Sequence, residues 1–267
     1  MTNKIMNFFG FKALPFSKQI PSHELYKSKS LHEVFSLIDL SLKNEDFALI
    51  TGTAGSGKSS ALRYFVSQLD PAVYPHVYIT AEDYKIGAIA KLLLSGLNFS
   101  TPYQGFSALH RVKSEIKRLH TTQNHKPILI IDEAQQLSIE TLLSIKNLAN
   151  YEMDSACMML IVLCGQFELI NKIKNAKLES LRRRIRIQYK LEAMSLEECS
   201  KYIKYHMKRS GVERPVFSDE IIAEIFQISQ GIVSNVNNIC FDLIVHATLS
   251  SKDIIEISLL DKIILPA

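Results

Sequence analysis

Residues 48–65 read "ALITGTAGSGKSSALRYF", and this stretch decides the fold. An apolar run ends at Thr51, three glycines fall within the next six residues, and a helical pattern follows. Gly52-Thr53-Ala54-Gly55-Ser56-Gly57-Lys58-Ser59 conforms to G-x-x-x-x-G-K-[ST] without departure. Gly52, Gly55 and Gly57 let the backbone curl until successive N–H groups, including those of Thr53, Ala54 and Ser56, point into one concavity. A helix opening at Lys58, Ser59 and Ser60 adds its free N–H groups and the positive end of its dipole to that anion site. Lys58 then reaches the terminal phosphates, and Ser59 offers a hydroxyl to a divalent metal. The expected ligand is a nucleoside triphosphate, ATP, with Mg²⁺.

The rest of the chain has the composition of a globular protein. Its 267 residues are 47% hydrophobic and 22% charged, enough for one large domain or two smaller ones with a buried core. The longest apolar runs, such as "MMLIVLC" (158–164), are strand-length and too short to span a bilayer. The N-terminus lacks a sustained apolar h-region, so no signal peptide and no membrane segment are read, and a cytoplasmic location is expected. Cys157, Cys164, Cys199 and Cys240 are scattered without CxxC spacing and are read as free thiols. The formal charge of +4 is unevenly spread. From 172 to 190, Lys172, Lys174, Lys177, Arg182, Arg183, Arg184, Arg186 and Lys190 face a single acid, Glu179. Such a run is either a solvated face or a contact surface for something acidic.

Short apolar segments alternate with helical ones from about residue 30 to 190. Strands are expected at "FALIT" (47–51), "HVYIT" (76–80), "PILIID" (127–132) and "MMLIVLCG" (158–165). Apolar throughout, they suit a parallel sheet covered on both faces. Helices are expected at Ser59–Gln68, Lys85–Leu94, Ser107–His120 and Ile139–Asn150, with a long loop over 98–106. This alternation defines an α/β layered fold with a parallel sheet. Beyond 190 only helices are expected. Ser195 with Glu198 three residues on forms a capping-box pattern and Gly211 ends that helix. Ser218 and Gly231 bracket a second, and Ser234–Leu249 forms a third. The expected domains are therefore 1–190, α/β, and 191–267, a small all-helical lid.

"PILIIDEAQQLS" (127–138) supplies what the glycine turn lacks. Asp132 stands at the carboxyl end of an apolar strand, where doubly wound sheets hold phosphates, and is the candidate metal ligand with Ser59. Glu133 is the candidate base for the attacking water. Gln166, in "VLCGQFEL" (162–169), is expected to emerge beside Asp132 and to touch the γ-phosphate or the water.

Taken together, "FFGFKALPFS" (8–17), "GTAGSGKSS" (52–60), "IIDEAQQLS" (130–138), "VLCGQFEL" and "LRRRIRI" (181–187) resemble the AAA+ P-loop ATPases of the ExeA/general-secretion-A group. That group includes accessory ATPases of transposable elements of the TniB, TnsC and Mu B kind. The resemblance implies a homo-oligomeric ring or filament in which an arginine finger acts in trans. It gives that role to Arg182 and Arg184, with Arg184 ahead. It implies hydrolysis of ATP to ADP, sequence-independent binding of duplex DNA and a transposase or integrase as protein partner. Tyr84 and Lys85, after the second strand, are candidate pore residues. The alternatives are a secretion-pathway assembly ATPase and a nucleotide-gated protein scaffold. A membrane anchor would be expected of the secretion type, and the chain's stopping at Ala267 favours the DNA reading. One position departs: "GIVSNVNNIC" (231–240) places Ser234 where the group has a γ-phosphate-sensing arginine. Either another cation substitutes, or hydrolysis is slow and nucleotide binding is the switch. Phe9, Phe11 and Phe16 are expected in a core, near adenine or against the lid.

Overall fold

A computed structural model describes residues 1–17, 19–44, 47–102, 105–151 and 157–262. They form two compact units: one of Lys29–Ala54 and Lys58–Leu191, the other of Met1–Ser28, Gly55–Gly57 and Glu192–Ala267. No helix among the described residues is long and apolar enough to cross a membrane.

The first unit is built on five parallel strands, β1 (Phe47–Gly52), β2 (His76–Thr80), β3 (Ile128–Asp132), β4 (Leu160–Gly165) and β5 (Ile185–Leu191), in the order β2-β3-β4-β1-β5. The three central strands are buried along their whole length, which is why they read as unbroken apolar runs. Alternate residues serve opposite faces. Ala48, Ile50, Ile128, Ile130, Leu160 and Val162 pack with Val34, Ile38, Ala61, Leu62 and Phe65, from α2 (Lys29–Asn44) and α3 (Lys58–Ser67). Leu49, Leu129, Ile131, Ile161 and Leu163 pack on the other face. Their partners are α4 (Ile86–Gly96), α5 (Gly105–Gln123), α6 (Ile139–Leu148), α7 (Phe167–Ile173) and α8 (Glu179–Arg184). Each fully buried aliphatic side chain contributes about 1.5–3 kcal/mol, so this two-faced core holds the strand ends that carry the site.

The basic run contains a strand that its charge conceals. In β5, Ile185, Ile187 and Tyr189 are buried or half-buried while Arg186, Gln188 and Lys190 are exposed. This is the period-two pattern of a strand covered on one face. Its polar positions within a basic run mask that periodicity, so only four strands are expected from sequence. The helices α2, α7 and α8 likewise add to the expected set. The expected loop over 98–106 falls partly on residues 103 and 104, outside the described residues, and α5 already begins at Gly105.

The second unit is helical: α1 (Thr2–Phe9), α9 (Leu196–Arg209), α10 (Asp219–Ser229) and α11 (Val233–Leu249). The Ser195 and Ser218 hydroxyl oxygens accept the N–H groups of Glu198 and Ile221 at 3.2 and 3.3 Å, as N-caps. Gly231 has φ +69°, and a Cβ there would lie 2.2 Å from the Met194 carbonyl oxygen, so the turn into α11 admits only glycine. Phe9, Phe11 and Phe16 are buried among Tyr202, Ile203, Ile225 and Ile239. The aromatic N-terminal segment therefore lies with these helices and not in the sheet unit. His206 is enclosed here, its ring stacked on Phe16 at 4.9 Å and tilted 17°.

Candidate nucleotide and metal site

The glycine turn leaves β1 and enters α3, with positive φ at Gly55 (+76°) and Gly57 (+99°). Only glycine adopts these angles freely, which is the physical content of the motif's spacing. Lys58 is 5% exposed, and its ammonium donates to the carbonyls of Gly52 at 3.0 Å and Thr53 at 2.8 Å. A buried cation is thus folded along the inside of the turn. The Ser56 hydroxyl is buried with no hydrogen-bond partner. A buried ammonium and a run of turn amides fit a polyanion. These residues fit a triphosphate.

Sheet order brings the acidic pair to this turn. β4 lies between β1 and β3, so Gly52, Gly165 and Asp132 end neighbouring strands on one side of the sheet. Ser59 Oγ donates to Asp132 Oδ2 at 2.8 Å, joining the turn to β3. Tyr78 Oη donates to that same oxygen at 2.6 Å, and the Glu133 N–H donates to Oδ1 at 2.9 Å. Burial raises the pKa of the Asp132 carboxyl, but the Tyr78 and Ser59 hydroxyls and the Glu133 amide outweigh it and leave the pKa below the ordinary value. The carboxylate therefore stays ionised. Burial and the bond to Asp132 push the Tyr78 phenol up to about 12, so it remains a donor. Ser59 and Asp132 are hard oxygen donors, close together and near the turn, and fit Mg²⁺.

Glu133 adopts φ 53°, a left-handed conformation rare outside glycine; such strain costs on the order of 1–3 kcal/mol and clusters at functional sites. Its carboxylate accepts from Gln135 Nε2 at 2.5 Å and from Gln166 Nε2 at 3.4 Å. The Gln135 side-chain oxygen accepts the Gln166 N–H at 3.1 Å, so its amide group must face Glu133. A Cβ at Gly165 would meet that oxygen at 2.3 Å, so a larger residue there would push the Gln135 amide aside. Lys172, read from sequence within the basic run, is half-buried. It donates to the carbonyls of Gln135 at 2.5 Å and Leu137 at 2.7 Å, pinning the loop that carries Glu133.

The structure thus brings together Lys58, Ser59, Asp132, Glu133 and Gln166. Sequence reasoning overlooked Tyr78, Gln135 and Lys172. Of these only Gln135, two residues after Glu133 in "DEAQQ", carried a signal. The remaining candidates have partners or surroundings of their own. Arg182 is exposed and donates to the Lys174 carbonyl at 3.2 Å. Arg183 pairs with Glu179 at 2.6 Å. Arg184 is half-buried and donates to Asn150 Oδ1 at 2.5 Å. Tyr84 packs against the sheet core while Lys85, just before α4, is exposed. In the helical unit, which includes Gly55, the Ser234 N–H donates to the Gly55 carbonyl at 3.1 Å.

Residues 41–173 match the AAA domain family, and the fold is that of P-loop AAA+ ATPases, a parallel sheet with a helical C-terminal part. More particularly, the chain is similar to general secretion pathway protein A of Aeromonas hydrophila, at 28% identity over 240 residues. That alignment covers 87% of this chain and 43% of the relative, so the chain spans less than half that relative's length. Among solved structures, the Aeropyrum pernix ORC2 protein in ADPNP–ADP complexes superposes with a TM-score of 0.70 at 16% identity, over 92% of this chain and 70% of that one. The Aeropyrum pernix ORC1 protein in complex with DNA gives 0.66 at 11% identity, over 97% and 67%.

Proposed function

We propose that this chain binds ATP with Mg²⁺ and hydrolyses it to ADP as a homo-oligomeric AAA+ protein. The observation that carries this reading is the join of the glycine turn to β3 through Ser59 and Asp132, with Glu133 adjacent. Lys58 and the turn amides of residues 52–59 bind the phosphates. Ser59 and Asp132 would hold the metal, which would supply positive charge against the transferring phosphoryl group. Glu133, held by Gln135 and Gln166, orients the attacking water and accepts its proton. A neighbouring copy's Arg184 or Arg182 stabilises the transition state. These parts support turnover over the scaffold alternative, which would bind ATP without hydrolysing it.

For its task, we propose that the protein assembles on duplex DNA and regulates a transposase or integrase. Exposed Lys174, Lys177, Arg182, Arg183, Arg186 and Lys190 support this reading, since clustered cations make sequence-independent phosphate contacts. The solved neighbour described in complex with DNA supports it at the level of fold. A second reading, a secretion-pathway assembly ATPase, is favoured by the likeness to general secretion pathway protein A. The test is ATP turnover of purified protein with and without duplex DNA, at 50 and 200 mM salt. Stimulation that fades with salt supports the DNA task, because phosphate contacts release counterions. Turnover indifferent to DNA removes it and leaves the secretion reading. No turnover under any condition overturns the ATPase assignment itself.

A further inference from the structure

β2 and β3 run parallel with Tyr78 opposite Ile130 and Thr80 opposite Asp132. Ile130 and Asp132, two residues apart on one strand, serve the same face. Tyr78 shares that face, one residue pair upstream. Two residues of strand span roughly 6.6 Å, about the reach of a tyrosine side chain leaning along the strand. The phenol therefore arrives at the Asp132 carboxylate, 2.6 Å from Oδ2. β2 is an edge strand, and Tyr78 is 48% exposed, so its ring is not there for core packing. Phenylalanine or threonine would serve an edge position as well; the hydroxyl is what this tyrosine adds.

We propose that Tyr78 is a positioning residue for the metal-holding carboxylate: its phenol, with the Ser59 hydroxyl and the Glu133 amide, locks the rotamer of Asp132 before the divalent cation arrives. Three donors from three elements, β2, α3 and the turn after β3, converge on two carboxylate oxygens. Removing the phenol frees Asp132 to rotate about its side-chain torsions, an ordering cost that metal binding must then supply. This inference rests on the reading of Asp132 as a metal residue.

The experiment is a fluorescent-ATP binding titration of the full chain, wild type and Tyr78→Phe, across magnesium concentrations and in EDTA. In EDTA the two proteins are expected to bind alike. The magnesium midpoint for tightened binding should rise several-fold, up to roughly tenfold, for the loss of one hydrogen bond to a charged group. Mn²⁺ binding to the nucleotide complex, followed by electron paramagnetic resonance, should weaken in parallel. An equal loss in EDTA would make Tyr78 merely structural and overturn the proposal. An unchanged magnesium midpoint would overturn it too. A lowered midpoint would show that the phenol competes with the metal, the opposite of positioning. If wild type itself gains nothing from magnesium, the metal assignment of Asp132 falls first, and Tyr78 with it.

Discussion

His206 reports whether the N-terminal aromatic segment docks on the helical unit as described. Its ring is 1% exposed, stacks on Phe16, and its Nδ1 accepts the Phe16 N–H at 3.3 Å. Burial, aided by the positive Arg209, lowers its pKa from 6.5 to about 3. In the unfolded chain the imidazole takes its proton near 6.5, so below that pH the unfolded state binds more protons and stability must fall. The contribution is fully present above pH 6.5 and is lost as the pH drops toward about 3. Between pH 7.5 and 5.0 the unfolded group gains most of one proton and the folded group almost none. At about 1.4 kcal/mol per pH unit below 6.5, the loss is about 2 kcal/mol. The assay is urea unfolding of the full chain at both pH values, for wild type and His206→Asn, whose side-chain oxygen keeps an acceptor for the Phe16 amide. The variant should be less stable at pH 7.5 by about 1–3 kcal/mol, since aromatic packing is lost, yet lose about 2 kcal/mol less than wild type on acidification. Carboxylates such as Asp132 titrate in both proteins and cancel in this comparison. Equal pH dependence of the two proteins would refute the buried, neutral histidine.

Three further outcomes follow from the site. Glu133→Gln should retain ATP binding and reduce turnover at least about a hundredfold, as expected for a lost general base, trapping the ATP state; single-turnover kinetics measure this, and wild-type turnover would remove Glu133 from that role. Gln135→Leu should reduce kcat roughly tenfold while leaving ATP affinity in place, because it unties the Glu133 carboxylate and not the phosphate turn; a change confined to KM would contradict the geometry. Arg184→Ala should slow turnover only at protein concentrations where copies associate, checked by kcat against concentration beside light scattering. An equal loss in dilute monomer would exclude a finger in trans.

The strands β1 to β4 were legible because a sheet buried on both faces demands runs such as "FALIT" and "LIVLC" that few other structures tolerate. The glycine turn was legible because Gly55 and Gly57 occupy conformations closed to other residues, so spacing alone identifies it. The Ser195 and Ser218 caps were readable for a similar reason, being local chemistry within four residues. β5 was not, since edge exposure lets polar residues, Arg186, Gln188 and Lys190, occupy its outward face. The association of Phe9, Phe11 and Phe16 with helices some two hundred residues later was open among several sequence readings. The clamp on Asp132 by Tyr78, 54 residues before it, and the hold of Gln135 and Gln166 on Glu133 appear only in the tertiary structure.

The amino-acid sequence by itself determined which candidate ligand chemistry this protein offers, because a glycine turn and a strand-ending acidic pair are written in contiguous residues. Which side chains steady that chemistry was decided only by tertiary structure. Strand order and register, set by packing across the whole sheet, choose which distant hydroxyls and amides end up within 3 Å of a carboxylate.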